Sequence, residues 1–161
     1  MRSIPYDRNA AAAYAKKWAF ERNPMFFNFD NLGGDCTNFA SQCVFAGCGV
    51  MNYTPVTGWY YKTSYDRTAS WTGVGYFYTF MVNNRGAGPY MREAGREEMM
   101  MGDVVQLGTA EGRFYHTPFI VKATPNELYV ATHTYDSYMR PLSSYVYERI
   151  RYLHVEGARG Y

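Results

Sequence analysis

The sequence predicts an α+β fold in which N-terminal helices pack on an antiparallel β-sheet. In the first half of the chain, good helix formers carry apolar residues at spacings of three and four, which is the periodicity of a buried helix face. After Met101, short runs of β-branched and aromatic residues alternate with Gly, Pro and Asn, as in strands joined by turns. Because helices precede strands and do not alternate with them, the element order is α+β. No linker or repeat interrupts the 161 residues, so we expect one domain over 1–161.

Three helices are predicted from capping signals and apolar spacing. The first covers residues 7–22, with Asp7 as its N-cap and an Asn-Pro pair after it. The second covers 36–46, and Gly47 is the expected stop. The dense apolar run 74–83 is read as a third helix, although its periodicity does not distinguish helix from strand.

Four strands are predicted in the second half of the chain. They cover residues 104–107, 116–122, 128–134 and 145–155. A turn at 124–127 joins the second and third strands, because Pro125 stands where type I turns prefer proline. The intervening segment 49–72, rich in Tyr, Thr, Gly and Trp, is read as a long loop region.

Composition and charge exclude several classes of function. A net charge of +2 is too weak to indicate a nucleic-acid partner. No apolar stretch of about 18 residues indicates a membrane helix. The N-terminus has no apolar segment typical of a secretory signal, so we expect a cytoplasmic protein, or a secreted or cell-wall protein if a signal was removed. Three cysteines cannot form a complete disulfide framework.

The segment GGDCTNFASQC contains a candidate nucleophile, Cys36. Asp35 is placed to cap the second helix, which puts the thiol in the first helical turn, where free N–H groups favour a thiolate and can hold an oxyanion. The negative charge of Asp35 opposes that effect. The alternative is that Cys36 is a small buried residue behind a capping aspartate. Cys43 and Cys48 are expected in the core.

Two histidines flank the predicted hairpin and supply a candidate base. His116 is the expected base, and His133, or Asp136 just beyond it, is the expected group that orients its ring. If His116 pairs with Tyr135 or with His133, the two histidines lie on one sheet face. The intermediate register puts the two histidines on opposite faces. The alternative is two polar residues on a solvent-exposed face. His154 is expected to be structural or exposed, without a polar partner.

No sequence motif indicates a metal or cofactor. The chain lacks CxxC and HExxH spacings, a phosphate-binding glycine loop and a GxSxG elbow. We therefore expect neither a metal nor a cofactor.

Four segments resemble the bacterial putative amidase domain family, whose neighbours are papain-like hydrolases of the NlpC and CHAP types. They are YDRNAAAAYAKKWAFERNPMFFNFDNLGGDCTNFASQC, SWTGVGYFYTF, GDVVQL and HTPFIVKATPNELYVATHT. The similarity extends from Tyr6 to about Arg140, and the GGDCTNFASQC block is its most specific part.

The resemblance implies a papain-like fold and a site for cleaving amide or peptide bonds. It assigns the nucleophile to Cys36, the base to His116 and the third member to His133, with Asp136 as its competitor. The implied partner is a peptide or amide substrate, with peptidoglycan-derived peptides suggested by analogy. Asp30 stands where papain has its glutamine, so the oxyanion donor stays open.

Two other functions fit the same sequence. One is acyl transfer between amines at the same site. The other is a non-catalytic module that binds glycans or peptides through its aromatic loops. For the amide hydrolase, the candidate cleft walls are Trp59, Tyr60, Tyr61, Trp71 and Tyr135, although most aromatic residues are expected in the core.

Overall fold

A computed structural model describes all residues, 1–161, and has the α+β architecture that the sequence predicts. The helices are α1 (Arg8–Trp18), α2 (Cys36–Cys48), α3 (Ala69–Thr72) and α4 (Val74–Asn83). The strands are β1 (Arg2–Ile4), β2 (Tyr61–Thr63), β3 (Asp66–Arg67), β4 (Gly88–Ala94), β5 (Val104–Gly108), β6 (Phe114–His116), β7 (Phe119–Ala123), β8 (Leu128–Thr132), β9 (Ser137–Pro141) and β10 (Arg149–Gly160).

The predicted helices form, but two of their ends differ. Asp7 caps α1 by accepting a hydrogen bond from the Ala10 N–H at 2.9 Å, as expected. Helix α1 ends at Trp18, four residues before the predicted boundary. Helix α2 continues through Gly47 to Cys48, and the left-handed residue that ends it is Gly49, at φ 68°. Gly47 instead allows α2 to pack closely against Tyr6, because a Cβ at this position would collide with the Tyr6 ring.

An eight-stranded antiparallel sheet forms the second layer. Its strand order is β1-β10-β5-β7-β8-β9, with β4 also paired to β10 and β6 to β5. The predicted strand 116–122 is divided into β6 and β7 at Pro118, which has no N–H for the ladder. The last strand begins later than predicted, at Arg149, and the sequence did not indicate β1, β4 or β9.

Side chains from alternate positions of the strands enter two separate cores. The larger, of 23 buried residues, lies between the helices and one face of the sheet and includes Phe39, Val104 and Phe119. The smaller, of 7 residues, includes Val105, Leu107 and Ile120 and lies on the other face. No helix of the structure has the length and hydropathy needed to span a membrane.

Candidate active site

Cys36 is the first residue of α2, as the sequence predicts. The residue is 8% exposed and therefore buried. Asp35 occupies the N-cap position, but its side chain does not cap the helix. Its backbone N–H donates to Thr134 Oγ1 at 3.0 Å, which ties the start of the helix to the turn after β8.

The Asp35 carboxylate points into the protein interior and does not bind the N–H groups at the start of α2. It is fully buried, and Oδ1 accepts from the Phe29 N–H and from Asn38 Nδ2, both at 2.8 Å. Oδ2 lies 2.6 Å from His133 Nδ1 and 3.4 Å from Arg22 Nε. The residue expected to be a simple cap is therefore a buried junction that binds three hydrogen-bond partners and lies within ion-pair distance of Arg22.

The Cys36 sulfur is surrounded by threonine groups. Thr37 Oγ1 lies 3.8 Å from Sγ. The Thr37 hydroxyl is 2.8 Å from the hydroxyl of Thr117. Burial raises the pKa of the Cys36 thiol, and these hydrogen bonds only partly oppose it, while the Asp35 charge adds a small increase. The expected thiolate stabilisation at the helix start is thus outweighed by burial.

His116 ends β6 and precedes Thr117, whose hydroxyl contacts that of Thr37 beside the sulfur. It pairs with Leu107, which places its ring on the sheet face of the smaller core, 5.6 Å from the Tyr145 ring. Burial, followed by the charge of Arg140, lowers the pKa of His116 to about 4, so the imidazole is neutral at pH 7. No hydrogen bond joins His116 to Cys36 in this structure, although apo catalytic contacts are often loose.

His133 does not contact His116, contrary to the expected orienting role. Its Nδ1 binds Asp35 Oδ2 at 2.6 Å, its Nε2 binds the Trp18 carbonyl at 2.7 Å, and its ring stacks on Phe39 at 4.0 Å. Both ring nitrogens are therefore occupied by contacts with groups other than His116 and Cys36.

A bulge in the β7–β8 hairpin explains this placement. The turn at 124–127 forms as predicted, with the Thr124 N–H donating to the Glu127 carbonyl at 2.8 Å. Between the pairs Ile120–Val130 and Lys122–Tyr129 the register shifts by one residue. Extended toward the histidines, the shifted register is the intermediate one that puts His116 and His133 on opposite faces.

Asp136 binds Arg22 and not His116. The Arg22 guanidinium donates to both carboxylate oxygens of Asp136 at 2.9 Å and to Asp30 at 2.7 Å, besides its contact with Asp35. Arg22 thus joins the loop before α2 to the turn after β8. The sequence analysis did not select Arg22, because no motif links it to acidic residues about 8 and 114 positions away.

His154 has a polar partner, which corrects the expectation that it has none. Its Nδ1 lies 2.9 Å from Asp103 Oδ2, and Arg8 Nη1 lies 2.8 Å from Asp103 Oδ1. The fully buried Asp103 carboxylate also accepts from the backbone N–H groups of Met100 and Val155. Asp103 is therefore a second buried junction of the same kind as Asp35.

The other candidate residues divide between core and surface. Trp59 and Trp71 are fully buried and Tyr61 nearly so, whereas Tyr135 is 88% exposed at the tip of the β8–β9 turn. Cys43 and Cys48 are free, buried and part of one continuous helix. The structure contains no group of three or more His, Cys, Asp or Glu side chains that could hold a metal ion.

These features define an α+β protein with a cysteine at the start of a helix that packs on an antiparallel sheet. The family model of the putative amidase domain matches residues 5–155, and the chain belongs to this family. It is 38% identical over 143 residues to the uncharacterized protein YhbB of Bacillus subtilis (strain 168). That similarity covers 86% of this chain but 45% of YhbB, so the chain spans less than half of that relative. A comparison with solved structures finds no match.

Proposed function

We propose that the protein is a cysteine-dependent hydrolase of amide or peptide bonds with a papain-like arrangement of helix and sheet. One observation carries the proposal. The Thr117 hydroxyl lies 2.8 Å from that of Thr37, which contacts the Cys36 sulfur, and His116 is the residue before Thr117. A helix-borne thiol next to a histidine-bearing strand is the arrangement that thiol hydrolases use. Membership of the putative amidase domain family supports the same chemistry.

In the proposed reaction, both groups begin in their neutral forms. With substrate bound, the His116 side chain, at the end of β6, swings from the sheet face of the smaller core toward the sulfur. It then accepts the thiol proton as Cys36 attacks the carbonyl carbon. The protonated His116 then protonates the leaving amine as the carbon–nitrogen bond breaks, which leaves a thioester on Cys36. Water, deprotonated by His116, hydrolyses the thioester and restores the thiol. No cofactor takes part in these steps.

His133 and Asp136 take a supporting place in this proposal. Through Asp35 and Arg22 they hold the start of α2, so they position the nucleophile and do not orient the base. Cys36 and His116 then work as a pair, because His133 and Asp136, the expected third members, bind Asp35 and Arg22 and not His116. By analogy, we propose peptides derived from the bacterial cell wall as the substrate class.

The test is turnover of cell-wall peptides by the wild type and three variants. New amine products are followed by mass spectrometry. We expect Cys36→Ser to abolish hydrolysis and His116→Ala to lower kcat by about 10²–10⁴-fold, the usual contribution of a general base. Cys48→Ser is the matched control, because this free thiol lies at the other end of α2, and it should keep wild-type kcat. Full activity of Cys36→Ser would overturn the role of Cys36 as nucleophile, and the absence of turnover by the wild type would favour the binding-module alternative.

A further inference from the structure

An open cavity of about 470 Å³ lies between α4 and the sheet, and an arginine forms part of its wall. The cavity is lined by Gly75, Tyr78, Thr79, Val82, Asn83, Gly112, Phe114 and Arg151. Arg151 is the only charged residue among them, and it forms no ion pair. A cavity with one unpaired guanidinium has the chemistry of an anion site.

The guanidinium of Arg151 is held in one orientation. Its Cζ lies 3.6 Å from the centroid of the Tyr78 ring and 3.8 Å from that of Phe114, so two aromatic rings flank it. Nε and Nη2 donate to Gln106 Oε1 at 2.8 and 2.6 Å. Nη1 makes no hydrogen bond with the protein, so its two N–H groups have no protein acceptor.

The surroundings of Arg151 leave its charge largely uncompensated. Glu93 is the nearest acidic influence, but its carboxylate accepts the Tyr78 hydroxyl hydrogen bond at 2.6 Å and does not contact the arginine. Burial lowers the pKa of Arg151, as it does for a partly desolvated cation, while the side chain stays protonated. An anion in the cavity would relieve this desolvation.

Buried hydrogen bonds connect the cavity with the nucleophile. Gln106, which holds Arg151, is fully buried, and its Nε2 donates to Thr117 Oγ1 at 3.2 Å. Thr117 in turn contacts Thr37, which lies next to the Cys36 sulfur. The same chain of side chains therefore orients the arginine and surrounds the thiol.

We propose that this cavity binds a carboxylate of the amide substrate, with Arg151 as its partner. The substrate class is then an acylated amino acid or a peptide with a free carboxylate. This assignment rests on the proposed function for its role in the reaction, but the binding of the carboxylate itself does not depend on Cys36.

The test compares hippurate with hippuramide, its neutral amide counterpart, as ligands of the Cys36→Ser protein, in which no turnover occurs. Binding is followed by calorimetry and by the amide chemical shifts of Gly75 and Gly112. We expect hippurate to bind at least about tenfold more tightly than hippuramide, with shifts at both glycines, since charge-assisted bonds exceed neutral ones. We expect Arg151→Gln to remove the preference and Arg151→Lys to keep part of it.

Arg85→Gln is the matched control. Arg85 is exposed, forms no ion pair and lies in the loop after α4, outside this cavity, so its loss should leave the preference unchanged. Equal binding of the two ligands, no binding at millimolar concentration, or a preference that survives Arg151→Gln overturns the proposal. If Arg151→Gln does not fold, the comparison of the two ligands on the Arg151-containing protein decides alone. Failure of the proposed function would appear separately, as unchanged peptide turnover by Cys36→Ser.

Discussion

At the scale of single residues, burial keeps both proposed catalytic groups neutral. It raises the pKa of the Cys36 thiol and lowers that of the His116 imidazole to about 4, because each charged form loses hydration. A preformed thiolate–imidazolium pair is therefore unfavourable in the resting protein. His116 is instead a free base over the whole neutral range, ready to accept the thiol proton when substrate brings the groups together.

This pKa predicts an unusual acid limb in the pH profile. A base works only when deprotonated, so activity is lost as pH falls through the pKa of the folded protein. We expect kcat/KM for peptide hydrolysis to fall with a midpoint near pH 4, and not near the ordinary histidine value of about 6.5.

The variant Arg140→Gln tests the physical cause of the low His116 pKa. The Arg140 charge contributes to the low pKa of His116, so its removal should move the midpoint upward, while burial keeps it below the ordinary value. The measurement is the pH dependence of initial rate at low substrate concentration, with stability verified at each pH. A midpoint at the ordinary histidine value in the wild type would contradict the assignment of a buried base.

At the scale of elements, the start of α2 depends on long-range contacts more than on a local cap. Sequence signals predicted where the helix begins, because Gly-Gly-Asp before an apolar stripe is a local pattern. They did not predict that the Asp35 carboxylate turns inward to His133 and Arg22. That arrangement requires the β7–β8 bulge and the positive φ of Thr134 and Tyr135, which no short pattern encodes.

The buried junction at Asp35 should contribute much more stability than the exposed one at Asp136. We expect Asp35→Asn to lower the free energy of unfolding by about 3 kcal/mol, because it leaves His133 and Arg22 without a buried counter-charge. Asp136→Asn removes a partner of the same Arg22 near the surface and should cost about 0–1 kcal/mol. Urea denaturation at pH 7 measures both. Equal losses would show that Asp35 is not the junction described.

At the scale of the whole molecule, local sequence signals account for the main helices and one hairpin. The remaining features depend on pairing between strands that are distant in the sequence. Helices α1, α2 and α4 and the β7–β8 hairpin follow from spacing and turn residues, and all were predicted. Strand β4 was missed because Gly88 and Pro89 are poor strand residues, and it forms by pairing with β10. Arg151 and Gln106 were missed for the same reason: they meet only where β10 pairs with β5.

Two buried aspartates join distant parts of the chain, and only one of them lies at the proposed site. Asp35 precedes the nucleophile, whereas Asp103 joins α1 to β10 through Arg8, His154 and the Val155 backbone. Both carboxylates are fully buried and both bind an arginine and a histidine. The chain thus offers two junctions of matched chemistry, one beside Cys36 and one remote from it.

Variants of Asp35 and Asp103 distinguish a loss of stability from a loss of nucleophile positioning. Asp103→Asn should lower the free energy of unfolding by about 3 kcal/mol, as expected for a broken buried ion pair. Its folded molecules should retain wild-type kcat, because none of the groups around Cys36 contacts Asp103. Asp35→Asn should lower both stability and kcat, because it releases the start of α2. Turnover of cell-wall peptides per folded molecule, measured well below each variant's Tm, distinguishes the two. If Asp103→Asn loses as much kcat per folded molecule as Asp35→Asn, the junction at Asp35 has no special part in holding the thiol.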